Sequence, residues 1–429
     1  NAMIVDSTAL FEQATRDIVR SAFQSSGQRC SSLRTLYVQA DIEAELVQML
    51  EGAIDTLVIG DPWRIETDIG PAIDAEAHEG ITAYIDAQAA AGRVIKRMPV
   101  PASGNFVPPT LIRVNGIEDV EREVFGPVLH LAPFDGDQID QVVDRINAKG
   151  FGLTFGLHSR IDRRVQRILD RINVGNVYVN RDQVGAVVGS QPFGGHGLSG
   201  TGPKAGGPHY LSRLFIRPRN PGEVDLPGRS VASGEIKDAI EHLASEPVPV
   251  PAERMELIRA SLREGFPANM PATAAIDAGA LDLPGPTGES NQLELRPKGT
   301  ILCLGPDAGA ILAQAVQALA AGNRVVAVSG TGLQALERLS GSGLPIRVLE
   351  GSVECHASLG ALPIDAIATA AKPDDSRLEL RKALAARDGP IVPLVTELND
   401  PIAFCNERSI CIDTTASGGN AALLAESDP

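Results

Sequence analysis

A cysteine that follows a predicted helix is the side chain best suited to covalent chemistry in this sequence. Cys30 lies in the segment Gly-Gln-Arg-Cys-Ser at residues 27–31, beside Arg29. A neighbouring positive charge favours the thiolate, which is the nucleophilic form of cysteine. Most lone cysteines are buried small hydrophobic residues, so this position alone leaves a catalytic and a structural interpretation open.

Two other segments combine reactive or aromatic side chains with glycine. Residues 123–127, Glu-Val-Phe-Gly-Pro, place the carboxylate of Glu123 and the ring of Phe125 ahead of a Gly-Pro turn. Taken alone, they are most simply a solvated acid beside a core phenylalanine. Residues 191–202, which include Phe193, are too rich in glycine for a helix or a regular strand. Such a segment is either backbone held close to a ligand or partner, or a solvent-exposed loop.

Alternating helix and strand patterns surround these segments. Apolar residues recur at helical spacing from Asp6 to Gln24, with Asp6 and Ser7 as the cap, and Gly27 ends this helix. Further helices are predicted at residues 42–57, 75–91, 138–148 and 160–172, and strands at 33–38, 111–114, 128–134 and 176–180. This alternation is typical of an α/β fold with a largely parallel sheet.

A change in composition separates the two halves of the chain. Prolines at 218, 221 and 227 begin a proline-rich stretch and predict a boundary near residues 216–230. Beyond it, a strand at 300–304, a helix at 308–321 and a strand at 324–328 form a βαβ unit. Later apolar runs fit further strands of the same sheet, at 346–349, 364–368 and 391–395.

Composition indicates a globular protein of two or three domains, since 429 residues exceed one usual core. A net charge of −16 argues against a nucleic-acid partner, which would need clustered Lys and Arg. Five widely spaced cysteines without zinc-site spacing predict no metal and a reducing, cytoplasmic location. No run of apolar residues is long enough to predict a transmembrane segment. The opening residues 1–3 are compatible with the remainder of an expression tag.

Together, the three segments resemble the aldehyde dehydrogenase superfamily in order and form. Residues 60–62, 68–71 and 108–111 add matches, so the resemblance covers about residues 3–215. Residues 27–31 and 185–195 most resemble the L-glutamate γ-semialdehyde (Δ1-pyrroline-5-carboxylate) dehydrogenase module of the proline utilization A family of bifunctional flavoenzymes.

The resemblance implies substrate-side roles. Cys30 would attack the aldehyde, while Ser31 and the backbone of Gly185 and Ala186 would hold the substrate carboxylate. Phe193 would pack on the aliphatic part of the substrate. Thiolate addition would give a hemithioacetal, hydride would leave to NAD, and water would hydrolyse the resulting thioester.

The resemblance also implies cofactor-side roles. Glu123 would accept hydrogen bonds from a ribose of NAD, and Phe125 would lie beside the nicotinamide ribose. In this family a general-base Glu and an oxyanion-binding Asn precede the cysteine, and the sequence begins after both. We therefore expect this chain to be inactive alone.

The second half resembles a degenerate copy of the family's cofactor domain. Residues 305–309, Gly-Pro-Asp-Ala-Gly, stand where the family has its oxyanion Asn, and residues 368–371 replace its phosphate-side turn. Glu397 lies in a segment similar to the one that carries the base, but no cysteine-bearing half follows it. Residues 409–413 and 418–420 echo 176–180 and its glycine turn, which predicts a terminal hairpin. No tightly bound cofactor is expected here.

The expected fold class is α/β: an aldehyde dehydrogenase catalytic-domain fold with a hairpin flap, then a degenerate Rossmann-like aldehyde-dehydrogenase-type domain with its own terminal hairpin. The predicted segments are a cysteine-bearing catalytic domain (1–172), an oligomerisation-type hairpin (173–190), the end of the catalytic module with a linker (191–229), and a non-catalytic C-terminal domain (230–429).

The resemblance implies a fragment of a proline catabolic enzyme that oxidises L-glutamate γ-semialdehyde to L-glutamate with NAD⁺. FAD would belong to a proline dehydrogenase region outside this sequence. The expected partners are this small-molecule substrate, the rest of the polypeptide and, through the hairpin, a second copy. Two alternatives stay open. The chain is a structural lid and assembly module in which Cys30 is incidental, or it belongs to a dehydrogenase for another ω-semialdehyde.

Overall fold

The structure, a computed structural model, describes residues 1–215, 229–262, 280–353, 356–370 and 375–415. They form two units. Unit 1 comprises Asn1–Ser199, Asp282–Gln292 and the described residues from Ser409 onward, and unit 2 comprises Gly200–Leu281 and Leu293–Arg408. The boundary predicted near 216–230 lies largely outside the described residues, so the bounds of the predicted domains stay a prediction.

The secondary structure alternates along the chain. The described strands are β1 (Ala2–Val5), β2 (Thr35–Gln39), β3 (Val94–Arg97), β4 (Thr110–Arg113), β5 (Val128–Phe134), β6 (Phe151–Gly152), β7 (Thr154–His158), β8 (Asn176–Val179), β9 (His196–Gly197), β10 (Leu281–Leu283), β11 (Glu289–Pro297), β12 (Thr300–Cys303), β13 (Arg324–Ser329), β14 (Ile346–Glu350), β15 (Ala366–Ala368), β16 (Leu394–Val395) and β17 (Cys405–Asp413). The described helices are α1 (Phe11–Phe23), α2 (Glu43–Asp55), α3 (Ala75–Ala90), α4 (Ile139–Ala148), α5 (Asp162–Arg171), α6 (Ser233–Ala244), α7 (Pro251–Ser261), α8 (Ala308–Ala320), α9 (Leu333–Ser340) and α10 (Asp375–Ala385).

A large sheet with strand order β10-β11-β17-β8-β7-β1-β2-β5-β4-β3 organises unit 1. The pairings from β17 to β4 are parallel, and β3 joins the edge antiparallel. Helices cover both faces, because residues of α1 and α2 form one core and residues of α3, α4 and α5 form another. The predicted α/β pattern with a largely parallel sheet is confirmed.

Strand β1 lies in the middle of this sheet and is buried along its whole length. Met3 and Val5 belong to the core under α1 and α2, whereas Ala2 and Ile4 belong to the opposite core. This alternation is the two-residue period of a strand buried on both faces. Residues 2 and 3 are therefore an integral part of this sheet.

The first helix begins later than its apolar pattern predicts. α1 starts at Phe11, and the predicted cap does not form at its end. Instead, Asp6 is fully buried, its Oδ1 accepts hydrogen bonds from the backbone and hydroxyl of Thr8, and its Oδ2 pairs with Arg164 at 2.7 Å. These contacts close a turn before the helix and explain the shifted start.

The predicted hairpin at 173–190 is not formed. Strand β8 is present, but its two neighbours, β7 and β17, both run parallel to it, whereas a hairpin needs an antiparallel partner. Asn180 turns the chain at a positive φ of 55° and bonds Ser159 through both its amide oxygen and its amide nitrogen. Residues 409–412 extend the sheet as part of β17, while residues 418–420 of the predicted terminal hairpin lie outside the described chain.

A second sheet, of order β14-β13-β12-β15-β16, organises unit 2. All four pairings are parallel, and this order is that of a doubly wound fold. Helix α8 is buried from Ala310 to Ala320, as expected for the crossover helix of a βαβ unit between two layers. The predicted βαβ unit and the later strands are confirmed. Among the described helices, none is long and apolar enough to cross a membrane.

We predict that His130 makes stability pH-dependent. Its Nδ1–H donates to the carbonyl of Arg34 and its Nε2 accepts from the hydroxyl of Tyr84, both at 2.8 Å, which requires a neutral ring. Burial lowers the pKa of His130 to about 4. Because an unfolded histidine binds a proton near pH 6.5, the unfolded state gains stability as the pH falls from about 6.5 to 4.

The melting temperature should therefore fall over this range, and His130→Gln should make the fall shallower. Some pH dependence should persist in the variant, because burial also lowers the pKa of His158 to about 4. Melting curves from pH 7.5 to 4.5 measure both effects. An unchanged slope in His130→Gln would contradict the assignment.

Candidate active site

The segments that carry the predicted site residues meet at the amino ends of parallel strands. Cys30 and Ser31 precede β2, and residues 123–126 precede its neighbour β5. Asn1 precedes β1, which lies on the other side of β2. The amino ends of parallel strands share one edge of a sheet, so the topology brings these distant segments together.

The loop that carries Cys30 begins with a sharp reversal after α1. Ser25, Ser26 and Gly27 all have positive φ angles, of 55°, 55° and 63°. A Cβ added at Gly27 would lie 2.1 Å from the carbonyl oxygen of Gly126, so only glycine permits this approach. The reversal leaves the side chain of Cys30 exposed.

Asn1 holds the backbone at Cys30 and just after it. Its Nδ2 donates to the carbonyl of Cys30 at 2.7 Å and to that of Ser32 at 2.9 Å. Its Oδ1 accepts from the backbone N–H of Thr154 at 3.2 Å, at the start of β7. The backbone of the loop is therefore anchored to two strands while the thiol stays open.

Ser31 is brought against the segment that carries Gly185. Ser31 is buried, and its carbonyl accepts from the Thr154 hydroxyl at 3.3 Å and from Gln183 Nε2 at 3.1 Å. The backbone N–H of Gln183 donates to Ser21 on α1 at 3.1 Å. After β8 the chain thus runs back toward the amino ends of the strands.

The remaining substrate-side residues lie on loops held by β8. Gly185 and Ala186 are exposed, and the Tyr178 hydroxyl donates to the carbonyl of Gly185 at 3.2 Å. Phe193 is half-buried between two residues fixed by one side chain, since Asn176 donates to the carbonyl of Pro192 and accepts from the N–H of Gly194.

Residues from distant parts of the chain bond the segment that follows β8. Arg181 donates to Glu289 at 2.7 Å and to the sulfur of Cys411 at 2.9 Å. Gln191 donates to the other oxygen of Glu289 at 2.9 Å. Burial raises the pKa of Cys411 to about 12, so this cysteine is a neutral thiol that accepts a hydrogen bond.

One buried arginine joins the cysteine loop to the predicted cofactor segment. Arg34 Nη1 donates to the carbonyls of Gly27 at 2.7 Å and Gly126 at 3.2 Å. Its Nη2 donates to the carbonyl of Arg29 at 3.2 Å, and its Nε donates to Glu123 Oε1 at 3.1 Å. Sequence reasoning missed this residue. The sequence feature that could have identified it is a lone positive charge inside a largely apolar predicted strand, 33–38.

Glu123 and Phe125 are held by Arg34 yet open to solvent. The Glu123 side chain is 51% exposed and Phe125 is 44% exposed, whereas Arg34 is 4% exposed. The Arg34 guanidinium lies 4.9 Å from the centroid of the Phe125 ring, within cation–π range. Burial lowers the pKa of Arg34, and Glu123 opposes that shift.

In the described part of unit 2, side chains bond backbone groups of the segments that resemble a cofactor domain. Asp307 caps α8 with its own carboxylate, which accepts from the N–H of Ala310 at 2.9 Å. The buried amide of Gln314 bonds both backbone groups of Gly305. Glu397 accepts from the hydroxyl of its neighbour Thr396. Among the residues that the structure describes, no His, Cys, Asp and Glu side chains form a group suited to a metal ion.

We predict opposite effects of alanine at two glycines. Gly27→Ala should destabilise the protein by more than about 1 kcal/mol, because the new Cβ meets Gly126 at a strained φ. Gly80→Ala is the matched control, since Gly80 lies within α3 with nothing within 4 Å of an added Cβ. It should stabilise the protein by about 0.5–1 kcal/mol. Thermal melts compare them, and equal shifts would contradict the packing argument.

Comparison with known proteins identifies the family of the chain. Residues 1–216 match the aldehyde dehydrogenase family. Across 99% of its length the chain is 40% identical to the bifunctional protein PutA of Escherichia coli (strain K12), of which it covers 33%. Across 49% of its length it is 34% identical to 1-pyrroline-5-carboxylate dehydrogenase 1 of Halalkalibacterium halodurans, of which it covers 41%.

A solved structure supports the fold across both described units. Proline utilization A (PutA) from Corynebacterium freiburgense matches over 96% of this chain and 38% of that one, with a TM-score of 0.62 and 24% identity. The chain thus spans about a third of the length of the PutA relatives that it matches. The resemblance and the fold class predicted from sequence are confirmed, and the chain belongs to the aldehyde dehydrogenase family.

Proposed function

We propose that this chain is the cysteine-bearing part of a longer NAD-dependent dehydrogenase that oxidises L-glutamate γ-semialdehyde to L-glutamate. The exposed thiol of Cys30, in a loop locked by a buried arginine to Glu123, is the observation that carries the proposal. The relatives named for 1-pyrroline-5-carboxylate dehydrogenase and for a bifunctional protein support the substrate and the larger parent.

Cys30 would act as the nucleophile. Its sulfur forms a bond to the aldehyde carbon, and the carbonyl oxygen takes up the electron pair. The Asn1 amide fixes the cysteine backbone during this attack, and the positive charge of Arg34 attracts the thiolate. Loss of the hydride from that carbon, which a bound NAD⁺ would accept, would leave a thioester, and water would then cleave its acyl–sulfur bond to release the carboxylate product and restore the thiol.

Glu123 and Phe125 fit a nucleotide cofactor. A half-exposed carboxylate can accept hydrogen bonds from ribose hydroxyls, and an exposed ring offers an apolar face to the neighbouring sugar. NAD⁺ supplies the hydride acceptor when bound. In this proposal Arg34 orients the Glu123 carboxylate by donating to it.

The substrate carboxylate would lie between Ser31 and the exposed backbone at Gly185 and Ala186, with Phe193 against the aliphatic chain. Gln183 supports this arrangement because it ties the carbonyl of Ser31 to the segment that carries Gly185. Backbone N–H groups hold carboxylates well, since a charge-assisted hydrogen bond is about twice as strong as a neutral one.

We assign unit 2 a non-catalytic, scaffolding role within the longer protein. A dinucleotide phosphate needs free N–H groups at a helix start, and the Asp307 carboxylate occupies that position with a like charge.

FAD would belong to a proline dehydrogenase region outside this chain. A cytoplasmic location and a homo-oligomer remain predictions from sequence. In unit 1, β8 pairs with β7 on one side and with β17 on the other.

We expect Cys30→Ala in the full-length protein to abolish semialdehyde-dependent formation of NADH, by at least about 10⁴-fold, because no other group replaces a covalent nucleophile. Cys303→Ala is the control. Cys303 is fully buried, and burial raises its pKa far above that of an exposed thiol, so activity should persist. The 429-residue chain alone should form no NADH. Full activity of Cys30→Ala would refute the proposal.

Substrate length and charge separate glutamate semialdehyde from other aldehydes. Pentanal has the same five-carbon chain but lacks the α-carboxylate and the amino group. Losing charge-assisted hydrogen bonds worth about 1.5–3 kcal/mol should lower kcat/KM by about 10- to 150-fold. Steady-state kinetics of the full-length protein tests this, and equal kcat/KM values would point to a different aldehyde.

A further inference from the structure

We propose that Arg34 is a positioning residue that couples cofactor binding at Glu123 to the reactivity of Cys30. This inference rests on the proposed function, because it takes Cys30 as the nucleophile and Glu123 as a cofactor contact. Arg34 itself touches neither the substrate nor the cofactor in this proposal. It acts through the two loops that it holds.

The guanidinium group bridges two segments that lie about ninety residues apart in the chain. On one side it binds the carbonyls of Gly27 and Arg29, the residues that lead into Cys30. On the other side it binds the carboxylate of Glu123 and the carbonyl of Gly126. Four of the five N–H donors of arginine are used in one rigid plane, so neither loop can shift without the other.

The contact is sensitive to charge because it is buried. Arg34 is 4% exposed, and its described ion pair is with Glu123, whose side chain is half exposed. A ligand hydroxyl that donates to Glu123 from the solvent side uses the same carboxylate that accepts from Arg34. The two hydrogen bonds therefore share one negative charge, and each affects the other. Binding at the exposed side of Glu123 therefore alters the hydrogen bonds on the buried side.

The other end of the bridge is next to the thiol. Arg29 is the covalent neighbour of Cys30, and its carbonyl accepts from Nη2 at 3.2 Å. Burial lowers the pKa of Arg34, whereas the negative charges of Glu123 and Cys30 raise it, so the guanidinium lies within electrostatic range of the sulfur. Displacing the guanidinium therefore changes both the position and the electrostatic surroundings of the sulfur. Reaction rates depend steeply on such placement.

The backbone of Arg34 is fixed independently of its side chain. Its carbonyl accepts from His130 Nδ1–H at 2.8 Å, and the N–H of His130 donates to the same oxygen at 2.9 Å. The side chain thus extends from a fixed point in the sheet. A lysine would keep the positive charge there but could not make the planar set of contacts.

The test compares Arg34→Lys with wild type in the full-length protein, using iodoacetamide alkylation of Cys30 with and without saturating NAD⁺. In wild type we expect NAD⁺ to change the alkylation rate. In Arg34→Lys the ratio of the two rates should approach one, KM for NAD⁺ should rise about tenfold and kcat should fall about 100-fold. Arg97→Lys is the matched control, because Arg97 makes an exposed ion pair with Asp86. It should behave as wild type.

A structural role alone would lower the melting temperature of Arg34→Lys and leave the NAD⁺ effect on alkylation intact, and that result overturns the proposal. If Arg34→Lys does not fold, Glu123→Gln at saturating NAD⁺ decides. Loss of the NAD⁺ effect supports the coupling, and its persistence overturns it. Failure of the proposed function is separate, since it would appear as full activity in Cys30→Ala.

Discussion

The buried guanidinium of Arg34 is the contact on which the arrangement of the site depends. Burying an arginine is costly unless its charge is paired and its N–H groups are bonded. Here the carboxylate of Glu123 and the carbonyls of Gly27, Arg29 and Gly126 meet both needs. The same contacts that make burial tolerable also fix the cysteine loop against the Glu-Val-Phe-Gly-Pro segment. Packing and chemistry therefore share one set of hydrogen bonds.

The sheet order makes that contact possible. Strands β2 and β5 are parallel neighbours, so the segments that enter them lie side by side at one edge. The close approach at Gly27 and Gly126 removes the space that a side chain would need, and the guanidinium caps the junction. Strands β1 and β7 add Asn1 and Thr154 to the same edge, where they hold the backbone of the loop.

Unit 2 combines a doubly wound topology with side chains that bond the turn before its buried crossover helix. Its five parallel strands and the buried crossover helix α8 keep the architecture. At the turn before that helix, however, the Asp307 carboxylate accepts from the N–H of Ala310, and the Gln314 amide bonds both backbone groups of Gly305. Internal side chains thus satisfy the groups that would otherwise bind a phosphate. Fold and function are separable in this half of the protein.

The sequence by itself determined the elements whose signals are local. Helical and strand periodicity placed the βαβ unit of residues 300–328 within a residue or two, and motifs placed Cys30, Glu123 and Phe125 in candidate roles. It failed where a distant contact outweighed a local pattern. The charge of Arg164 holds Asp6 away from the predicted cap, and parallel pairing with β17 takes the edge of β8 where a hairpin was expected.

Only the tertiary structure identified Arg34 and Gln183. Their partners lie up to about 150 residues away, and no spacing rule connects such positions before the strand order is known. Periodicity reports which face of an element is buried, because that is a property of neighbouring residues. Which loops meet at a sheet edge depends on how strands from the whole chain pair, and this pairing decided the geometry of the site.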